Sequence, residues 1–469
     1  MTVETEDSHL ETGQNLSGDD PGCLQSGIME VDMHRQGAIP ELLIPASGPE
    51  VLRVAVRYGA DAVYIGGEAF SLRAKAKNFS TQEMRESIDY AHAHGVKVYV
   101  TVNILAHNED LEEADDYLAQ LAVMKPDALL VADPGMFMRA KRLCPDIPIH
   151  ISTQANNVNY ETFLFWHDLG AERVVCGREL SLKEIRQIRD HIPDELEIEA
   201  FIHGAMCISY SGRCLLSNFL TGRDANHGAC THPCRWEYSL DEASEENGML
   251  VHTRLGDVPR FSIEEESRPG EKMSVEETER GTFIFNSKDL CMIEHIPDMI
   301  DAGIDSLKIE GRMKNALYVA TVARTYRRAL DDLAKGRDVY ESNMDWYHEQ
   351  IRDCTFRPFT TGFFYGKPGP DAQIYDSNTY ERNYIYLGYV QGFKDIDGCQ
   401  YVEISQKNKF CVGDEIEVMR PDGENLVTVV EEIRDENGLC MESAPHPQQK
   451  LYLKLVAQVD ICDILRMQG

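Results

Sequence analysis

The sequence predicts an α/β protein, built as a (β/α)8 barrel of the TIM type and followed by a small all-β barrel. From Glu41 onward, eight short runs of apolar residues alternate with longer segments of helical periodicity. Such runs are typical of parallel strands that are buried on both faces. From about residue 380 the pattern changes to short strands separated by turn residues. The count of eight strands, with no GxGxxG turn after the first, favours a closed barrel over an open doubly wound sheet.

The strands of the barrel are predicted from runs of four to six residues rich in Val, Ile, Leu or Tyr. They are ELLIPA (41–46), AVYIGG (62–67), KVYVTVN (97–103), ALLVAD (128–133), PIHIST (148–153), RVVCG (173–177), EIEAFIH (197–203) and SLKIEG (306–311). Amphipathic segments such as 81–95 and 112–125 lie between them and predict the helices, and 312–336 predicts one long helix after the last strand. The barrel domain is therefore expected to span 39–336.

Three further regions flank or follow this barrel. Residues 1–38 hold eight acids and one arginine, which predicts a disordered acidic leader. Residues 337–379 are interpreted as a linker that contains the Pro/Gly-rich piece GKPGPDAQ. Residues 380–469 are expected to form the C-terminal β-barrel, with turns at Asp397-Gly398 and Asp422-Gly423. The chain has no secretory signal and no apolar run of membrane-spanning length, so we expect a cytoplasmic protein that does not contact a membrane.

The net charge of the 469-residue chain is −33, which on its own argues against a nucleic-acid partner. The charge is uneven, however. The leader contributes −7, and an acidic insert at 240–281, with twelve acids and five bases, contributes another −7. The remaining body therefore has room for a basic patch.

The connection between the seventh and eighth strands runs from about 204 to 305, far longer than the ~2–6 residues usual for such loops. It starts at the C-terminal end of a barrel strand, where barrel enzymes carry their active sites. Its first part, the Cys-rich loop 204–236, contains four cysteines within 28 residues: Cys207, Cys214, Cys230 and Cys234. Thirteen cysteines in a chain without an export signal do not indicate a disulfide framework.

Four clustered thiols in a cytoplasmic protein are typical of either zinc or an iron–sulfur cluster. Structural zinc sites usually show paired C-x2-C spacings, whereas the gaps here are six, fifteen and three residues. The loose spacing and the position on the catalytic face favour iron–sulfur. Cys291 is a fifth candidate ligand, although we expect it to lie in the core of a helix.

Polar and basic residues follow several other strands and are expected to meet at the same face of the barrel. The candidate catalytic residues are Arg73, Gln154, Arg178, Glu310 and Arg312. Lys75, Lys77, Arg213 and Lys314 would add to a basic rim, which would suit a small anionic substrate. A cysteine nucleophile paired with His203 or His232 is an alternative, as expected of a peptidase.

Four segments carry a resemblance to a known family: GADAVYIGGEAFSLRAKAKNFS, EAFIHGAMCISYSGRCLLS, NSKDLC and DSLKIEGRMK. They resemble the U-32 peptidases, which are known as collagenase-like, and the resemblance extends over about 40–469. The arrangement of one barrel followed by one small β-barrel looks most like the tRNA-hydroxylation branch. The chain departs from that pattern at His227, where relatives tend to have Gln, and in its acidic leader and insert.

The resemblance implies an oxygen-independent RNA hydroxylase with a 4Fe-4S cluster. Cys207, Cys214, Cys230 and Cys234 would be the cluster ligands, and prephenate would be the oxygen donor. The implied substrate is the wobble uridine of tRNA, with ribosomal RNA as a further possibility in the family, and the β-barrel would help to bind RNA. A collagenase-like peptidase, or a non-catalytic partner in a modification complex, are the alternative functions.

Overall fold

The computed structural model describes residues 39–72, 78–207, 209–210, 213–236, 286–354, 356–369, 372–374 and 383–469, together with the backbone of six short strands between 241 and 282. The predictions made for the leader 1–38, and for Arg73, Lys75 and Lys77, fall outside the described residues. The same holds for the side chains of the acidic insert 240–281.

Strands and helices alternate through the first seven strands of the barrel, and each of these strands was predicted. The strands are β1 (Glu41–Pro45), β2 (Ala62–Gly66), β3 (Lys97–Val102), β4 (Ala128–Val131), β5 (Ile149–Ile151), β6 (Arg173–Val175) and β7 (Glu197–Ala205). The helices between them are α1 (Pro49–Arg57), α2 (Thr81–Ala93), α3 (Asp110–Met124), α4 (Pro134–Leu143), α5 (Tyr160–Asp168) and α6 (Leu182–Arg189). Local sequence fixes several helix starts. Ser80 and Glu83, for example, form a reciprocal capping box at the start of α2.

The long connection after β7 contains the helix α7 (Leu216–Thr221) and a 3-10 turn at Pro233–Arg235. The backbone of the insert forms three two-stranded antiparallel pairs. Their strands are β8 (Asp241–Glu246), β9 (Met249–Arg254), β10 (Phe261–Glu264), β11 (Lys272–Val275), β12 (Glu277–Thr278) and β13 (Gly281–Thr282). The chain then returns to the barrel as β14 (Asp289–Cys291), which pairs antiparallel with the end of β7. Cys291 therefore lies in a strand, and the expectation that it lies in a helix was wrong.

The last strand of the barrel, β15 (Ser306–Ile309), follows the short helix α8 (Ile296–Asp301). It pairs in parallel with β7 on one side and with β1 on the other, so the eight strands close. The prediction of a (β/α)8 barrel is confirmed. The predicted long helix follows as α9 (Ala316–Lys335), with Asn315 capping its first turn.

The stretch 337–379, which was interpreted as a linker, contains α10 (Arg337–Ser342), α11 (Met344–Arg352) and the short strand β16 (Phe359–Thr360). β16 pairs with β14 at the edge of the barrel sheet. Tyr347 on α11 and Tyr340 on α10 are buried and pack into the barrel core.

The C-terminal domain is an antiparallel sheet that closes on itself, as predicted. Its strands are β17 (Tyr384–Ile396), β18 (Cys399–Ser405), β19 (Phe410–Cys411), β20 (Glu415–Met419), β21 (Leu426–Arg434), β22 (Cys440–Met441), β23 (Ser443–Ala444), β24 (Lys450–Leu455) and β25 (Ile464–Gln468). The predicted Asp397-Gly398 turn joins β17 to β18, and both residues have positive φ, as a type I′ hairpin turn requires. Arg466 of this domain lies 3.0 Å from the Asp353 carboxylate at the end of α11, and the Tyr58 hydroxyl of the barrel donates to the Met419 carbonyl oxygen at 2.6 Å.

The strand residues of the barrel alternate between an apolar outer layer under the helices and an inner layer that is partly charged. An apolar cluster formed by Leu43, Tyr64, Tyr99 and Leu130, among others, fills one part of the interior. The rest of the interior holds buried charged residues, which are described below with the site above them.

Candidate active site

A small cavity of about 50 Å³ opens to solvent at the C-terminal ends of the barrel strands. Most of the residues that line it are polar or charged. The lining residues include Thr101, Asn103, Gln154, Arg178, Phe201, Lys308, Glu310 and Arg312. Four of the five predicted catalytic residues therefore line one cavity, and the fifth, Arg73, lies outside the described residues.

Arg178 and Glu310 form an ion pair at the wall of this cavity. They follow β6 and β15, and the Arg178 Nη2 lies 3.2 Å from the Glu310 Oε2. The guanidinium also lies over the ring of Phe201, 4.0 Å from its centroid, which is within cation–π range. Both charged side chains are largely buried, so the pair can hold a polar ligand with little competition from water.

Arg312 was predicted as a catalytic residue beside a rim suited to an anionic substrate, but much of its hydrogen-bonding capacity is used within the protein. Its Nη1 donates to the Thr101 hydroxyl at 2.8 Å, and its Nη2 donates to the Leu72 carbonyl oxygen. Only 4% of the residue is exposed. Gly66 makes room for this arrangement, because a Cβ there would lie 2.7 Å from the Arg312 Nη1. Arg312 thereby holds the loop that follows β2 against the barrel mouth.

Gln154 lies in a 3-10 turn, Thr153–Ala155, directly after β5. The turn is held by Ser152, whose hydroxyl accepts from the Gln154 backbone N–H at 3.4 Å and from the Asn103 side-chain amide at 3.2 Å. Asn156 ends the turn with a φ of 57°, a value that asparagine tolerates better than most residues. This geometry places Gln154 at the cavity wall.

The floor of the cavity is charged, a feature that was not predicted from the sequence. The Lys308 Nζ lies 2.7 Å from the Glu199 Oε1, and the two side chains are 4% and 0% exposed. Glu199 also contacts Arg173 at 3.2 Å, and Arg173 in turn contacts Glu41 at 2.6 Å. Two buried anions thus face two buried cations. The signal was present as charged residues at alternate positions of otherwise apolar strands, EIEAF and SLKIE.

Burial lowers the pKa of Lys308, while the Glu199 carboxylate raises it. The Lys308 ammonium also lies 4.4 Å from the centroid of the Tyr64 ring. Lys308 therefore provides a cationic amine at the base of the cavity, held in place by Glu199.

The four predicted ligand cysteines come close together beside this cavity. Burial raises the pKa of the Cys234 thiol to about 11, Arg235 lowers it, and negative charge on Cys207, Cys230 and Cys214 raises it. The start and the end of the loop, which carry these thiols, are joined by hydrogen bonds between Thr231 and Ser217 and between Arg235 and Met206. Among the described residues, no three His, Cys, Asp or Glu side chains stand in a preformed metal-binding arrangement. The donor set itself, four neighbouring thiols, has the chemistry of a thiolate-ligated metal or cluster.

Hydrogen bonds within the Cys-rich loop bring its two cysteine pairs together. Ser217 is fully buried on α7, and its hydroxyl accepts from the Thr231 backbone N–H at 3.0 Å. Arg235 donates to the Met206 carbonyl oxygen at 2.8 Å, which joins the end of the loop to its start. Gly204 allows the chain to leave β7, with a φ of 109° that disfavours any residue with a Cβ.

Further hydrogen bonds fix the same loop onto the barrel mouth. Arg213 Nε donates to the Asn156 side-chain oxygen at 2.6 Å, beside the Gln154 turn. His227 lies 3.0 Å from the Asp110 carboxylate at the start of α3. The cysteines are thereby held over the carboxyl ends of the strands rather than away from the barrel.

His203 and Cys291, which were considered as alternatives in the site, lie in apolar packing. His203 is buried among the rings of Tyr326 and Phe359, and burial lowers its pKa to about 3. The Cys291 Sγ lies 3.7 Å from the hydroxyl of the same Tyr326, and burial raises its pKa to about 11. His203 is thus poorly suited to act as a base for a cysteine nucleophile, because it resists protonation near neutral pH.

A closed (β/α)8 barrel, with a polar cavity at the carboxyl ends of its strands and four thiols beside it, defines the class of the molecule: a barrel enzyme with a cysteine-rich site. The chain belongs to peptidase family U32. Residues 47–374 match the family described as "Peptidase family U32", and residues 382–466 match its C-terminal domain.

Curated relatives with RNA-modifying names align with most of the chain. It is 39% identical over 427 residues to "tRNA hydroxylation protein P1" of Bacillus subtilis (strain 168), covering 91% of this chain and 94% of that protein. It is 39% identical over 448 residues to "tRNA hydroxylation protein P" of Escherichia coli (strain K12), covering 92% and 97%. A third relative, the "23S rRNA 5-hydroxycytidine C2501 synthase" of the same E. coli strain, is 33% identical over 353 residues, covering 74% of this chain and 48% of that protein.

Proposed function

We propose that this protein is an iron–sulfur-dependent RNA hydroxylase that acts on the wobble uridine of tRNA. The observation that carries the proposal is the position of four thiols beside a polar barrel cavity, in a chain aligned over nearly its full length with proteins named for tRNA hydroxylation. Ribosomal RNA is the alternative RNA substrate, because one relative of lower identity is named as a synthase of hydroxycytidine in 23S rRNA.

In this proposal Cys207, Cys214, Cys230 and Cys234 hold a 4Fe-4S cluster. Four thiolates are the usual ligand set of such a cluster. Burial raises the pKa of the Cys234 thiol, and the Arg235 guanidinium offsets part of that rise and so favours the thiolate form. When bound, the cluster supplies one-electron redox chemistry at a potential set by its ligands and surroundings.

The cavity below the cysteines is the proposed site for a small anionic oxygen donor, and prephenate is our candidate. Lys308 at the floor and Arg178 at the wall offer cationic groups to carboxylates, and Gln154 offers an amide. Arg312 shapes the cavity by holding the loop after β2. In the overall reaction, the nucleobase carbon is oxidised by two electrons as its C–H becomes C–OH. The donor, which gives up the oxygen atom, is reduced by two.

The RNA would approach from the open side of the cavity, with the C-terminal β-barrel contributing to its binding, as small β-barrels often do. The proposed place of action is the cytoplasm, where tRNA is modified. Among the described residues, no helix is long and apolar enough to cross a membrane.

The test is nucleoside mass spectrometry of total RNA from a strain that lacks this gene. We expect a hydroxylated uridine to disappear from tRNA and to return with the wild-type gene. We expect no return with Cys214→Ala and full return with Cys399→Ala, which alters an exposed cysteine on β18 of the C-terminal domain. Unchanged hydroxyuridine in the deletion strain would reject the proposal.

The oxygen source is tested with the purified protein. Prephenate labelled with oxygen-18 in its hydroxyl should transfer the label to the nucleoside under anaerobic conditions, whereas labelled water should not. Cleavage of gelatin or collagen peptides that persists when all four cysteines are changed to serine would support a peptidase instead. If the Cys214→Ala gene restores the modification in the deletion strain, this protein would instead be a non-catalytic partner in a modification complex.

A further inference from the structure

The surface of the Cys-rich loop carries a group of exposed apolar side chains that the site itself does not use. Helix α7 holds the most exposed of them, and the others precede or follow it in the loop. We call this group the loop platform; its members are Tyr210, Leu215, Phe219 and Trp236, and Arg213 and Arg223 lie in the same loop.

The exposure of Phe219 is the clearest part of this observation. Its side chain is 84% exposed, although a single exposed aromatic ring is common on protein surfaces. What separates Phe219 from such cases is that Leu215, one helical turn earlier, is 70% exposed as well. Helix α7 has its buried contact at Ser217, which bonds to Thr231, so the opposite face presents apolar side chains to solvent.

The fold of the loop keeps these side chains on one structural unit. The Trp236 indole N–H donates to the Thr231 carbonyl oxygen at 3.1 Å, and Thr231 is bonded to Ser217 on α7. At the start of the loop, the Arg213 backbone N–H donates to the Tyr210 carbonyl oxygen at 3.1 Å. The Trp236 end of the platform is therefore fixed relative to α7, and Tyr210 is held in a turn with Arg213.

The charge of this unit differs in sign from that of the chain. The Cys-rich loop 204–236 contains three arginines and one aspartate, whereas the whole chain carries a net charge of −33. Arg213 also donates to Asn156, which lies two residues after the cavity-lining Gln154, so this part of the loop lies at the barrel mouth. Exposed rings combined with arginines next to an active site are the usual means of holding single-stranded nucleic acid, because bases stack on the rings and phosphates contact the cations.

We infer that the loop platform binds the unpaired nucleotides of an RNA loop by stacking, with Phe219 as the principal stacking residue. The inference rests on the proposed RNA substrate and adds to it the surface that selects single-stranded over paired RNA. Tyr210 and Trp236 would stack on neighbouring bases, and Arg213 would contact the backbone between the platform and the cavity.

The experiment measures binding of the full-length, anaerobically purified protein to two RNA probes by fluorescence anisotropy. One probe is a short RNA hairpin with an unpaired loop, and the other is a blunt duplex of the same length. The variants are Phe219→Ala and a matched control, Phe165→Ala, which removes a 53% exposed ring from α5. Iron content is measured for each, so that damage to the cysteine site is detected.

We expect wild-type protein to prefer the hairpin and Phe219→Ala to bind it about tenfold more weakly, which is the loss typical of one stacked base. Phe165→Ala should bind like wild type, and iron content should be equal in all three proteins. Phe219→Ala that binds the hairpin as tightly as wild type would overturn the inference and leave the proposed function intact. Wild-type protein with no affinity for either probe would overturn both. A protein that copurifies with wild type and is lost from Phe219→Ala, with RNA binding unchanged, would assign the platform to a protein partner.

Discussion

Replacement of Glu199 by Gln should destabilise the barrel, because it removes the anion that faces Lys308 at the floor of the cavity. The two side chains lie 2.7 Å apart and are almost completely buried. Removal of one partner from a buried ion pair costs about 3–5 kcal/mol, since the other charge is left without compensation. Unfolding entropy scales with chain length, and for a unit of this size ~1 kcal/mol corresponds to about 1 °C in melting temperature. We therefore expect the melting temperature to fall by about 3–5 °C.

The pH dependence of this loss has a defined sign. Burial already lowers the pKa of Lys308, and Glu199 is the main group that raises it, so the variant should have a lower Lys308 pKa still. A lysine whose pKa is lower in the folded than in the unfolded state makes the unfolded chain bind more protons, so stability rises with pH between the two values. The deficit of Glu199→Gln should be largest near neutral pH and should shrink as the pH rises toward the ordinary pKa of lysine.

The assay is scanning calorimetry of wild type and variants across this pH range at constant ionic strength. Glu197→Gln is the matched control, because Glu197 precedes Glu199 by two residues and contacts the same Arg173, yet its side chain is 44% exposed. It should cost at most about 1 kcal/mol. The double variant Glu199→Gln/Lys308→Met, which removes both charges, should recover much of the loss. Equal losses for the two glutamate variants, or a deficit that does not change with pH, would refute this explanation of the cavity floor.

Three further substitutions test other parts of the site. Arg312→Ala should lower the yield of hydroxylated nucleoside, measured by mass spectrometry, with iron content unchanged; loss of iron would place Arg312 with the cysteines instead. Gly204→Ala should lower both the melting temperature and the iron content. The φ of Gly204 is 109° and the new Cβ would lie 2.6 Å from the Glu310 carbonyl oxygen, which amounts to a strain of about 1–3 kcal/mol. A variant with unaltered melting temperature and iron content would contradict this account of the turn. Cys291→Ala should leave the iron content unchanged and cost at most about 1–2 kcal/mol of stability, because the Cys291 thiol faces the Tyr326 hydroxyl. Loss of iron in this variant alone would mean that the cluster ligands are misassigned.

The strands of the barrel could be predicted because burial on both faces leaves a strong local signal. Each run of Val, Ile, Leu and Tyr was long enough to be distinguished from the amphipathic helices around it. The two helices within 337–352 were not recognised, since they are short and α10 has a single buried side chain, Tyr340. The three-residue strand β14 was missed for a related reason: its pairing with β7 depends on a chain reversal across the whole insert.

The site was predictable where it depends on residue type and spacing, and unpredictable where it depends on partners distant in the sequence. The four cysteines could be recognised as a candidate site because they cluster in the sequence directly after a barrel strand. Arg312 lies at the cavity, but its hydrogen bonds to Leu72 and Thr101 join residues more than 200 positions apart in the sequence, which local patterns do not reveal. The pairing of Lys308 with Glu199 is of the same kind, since each residue alone resembles a charged interruption of an apolar strand.

The central claim, that the four loop cysteines hold an iron–sulfur cluster, is tested most directly by iron and acid-labile sulfide analysis. The full-length protein and its four single Cys→Ala variants, at positions 207, 214, 230 and 234, are purified anaerobically for this purpose. We predict about four iron and four sulfide per wild-type chain. Both should fall sharply in every variant, because a cluster that lacks one thiolate is labile. Stoichiometric zinc without iron in the wild type, or iron and sulfide that persist in all four variants, would contradict the claim.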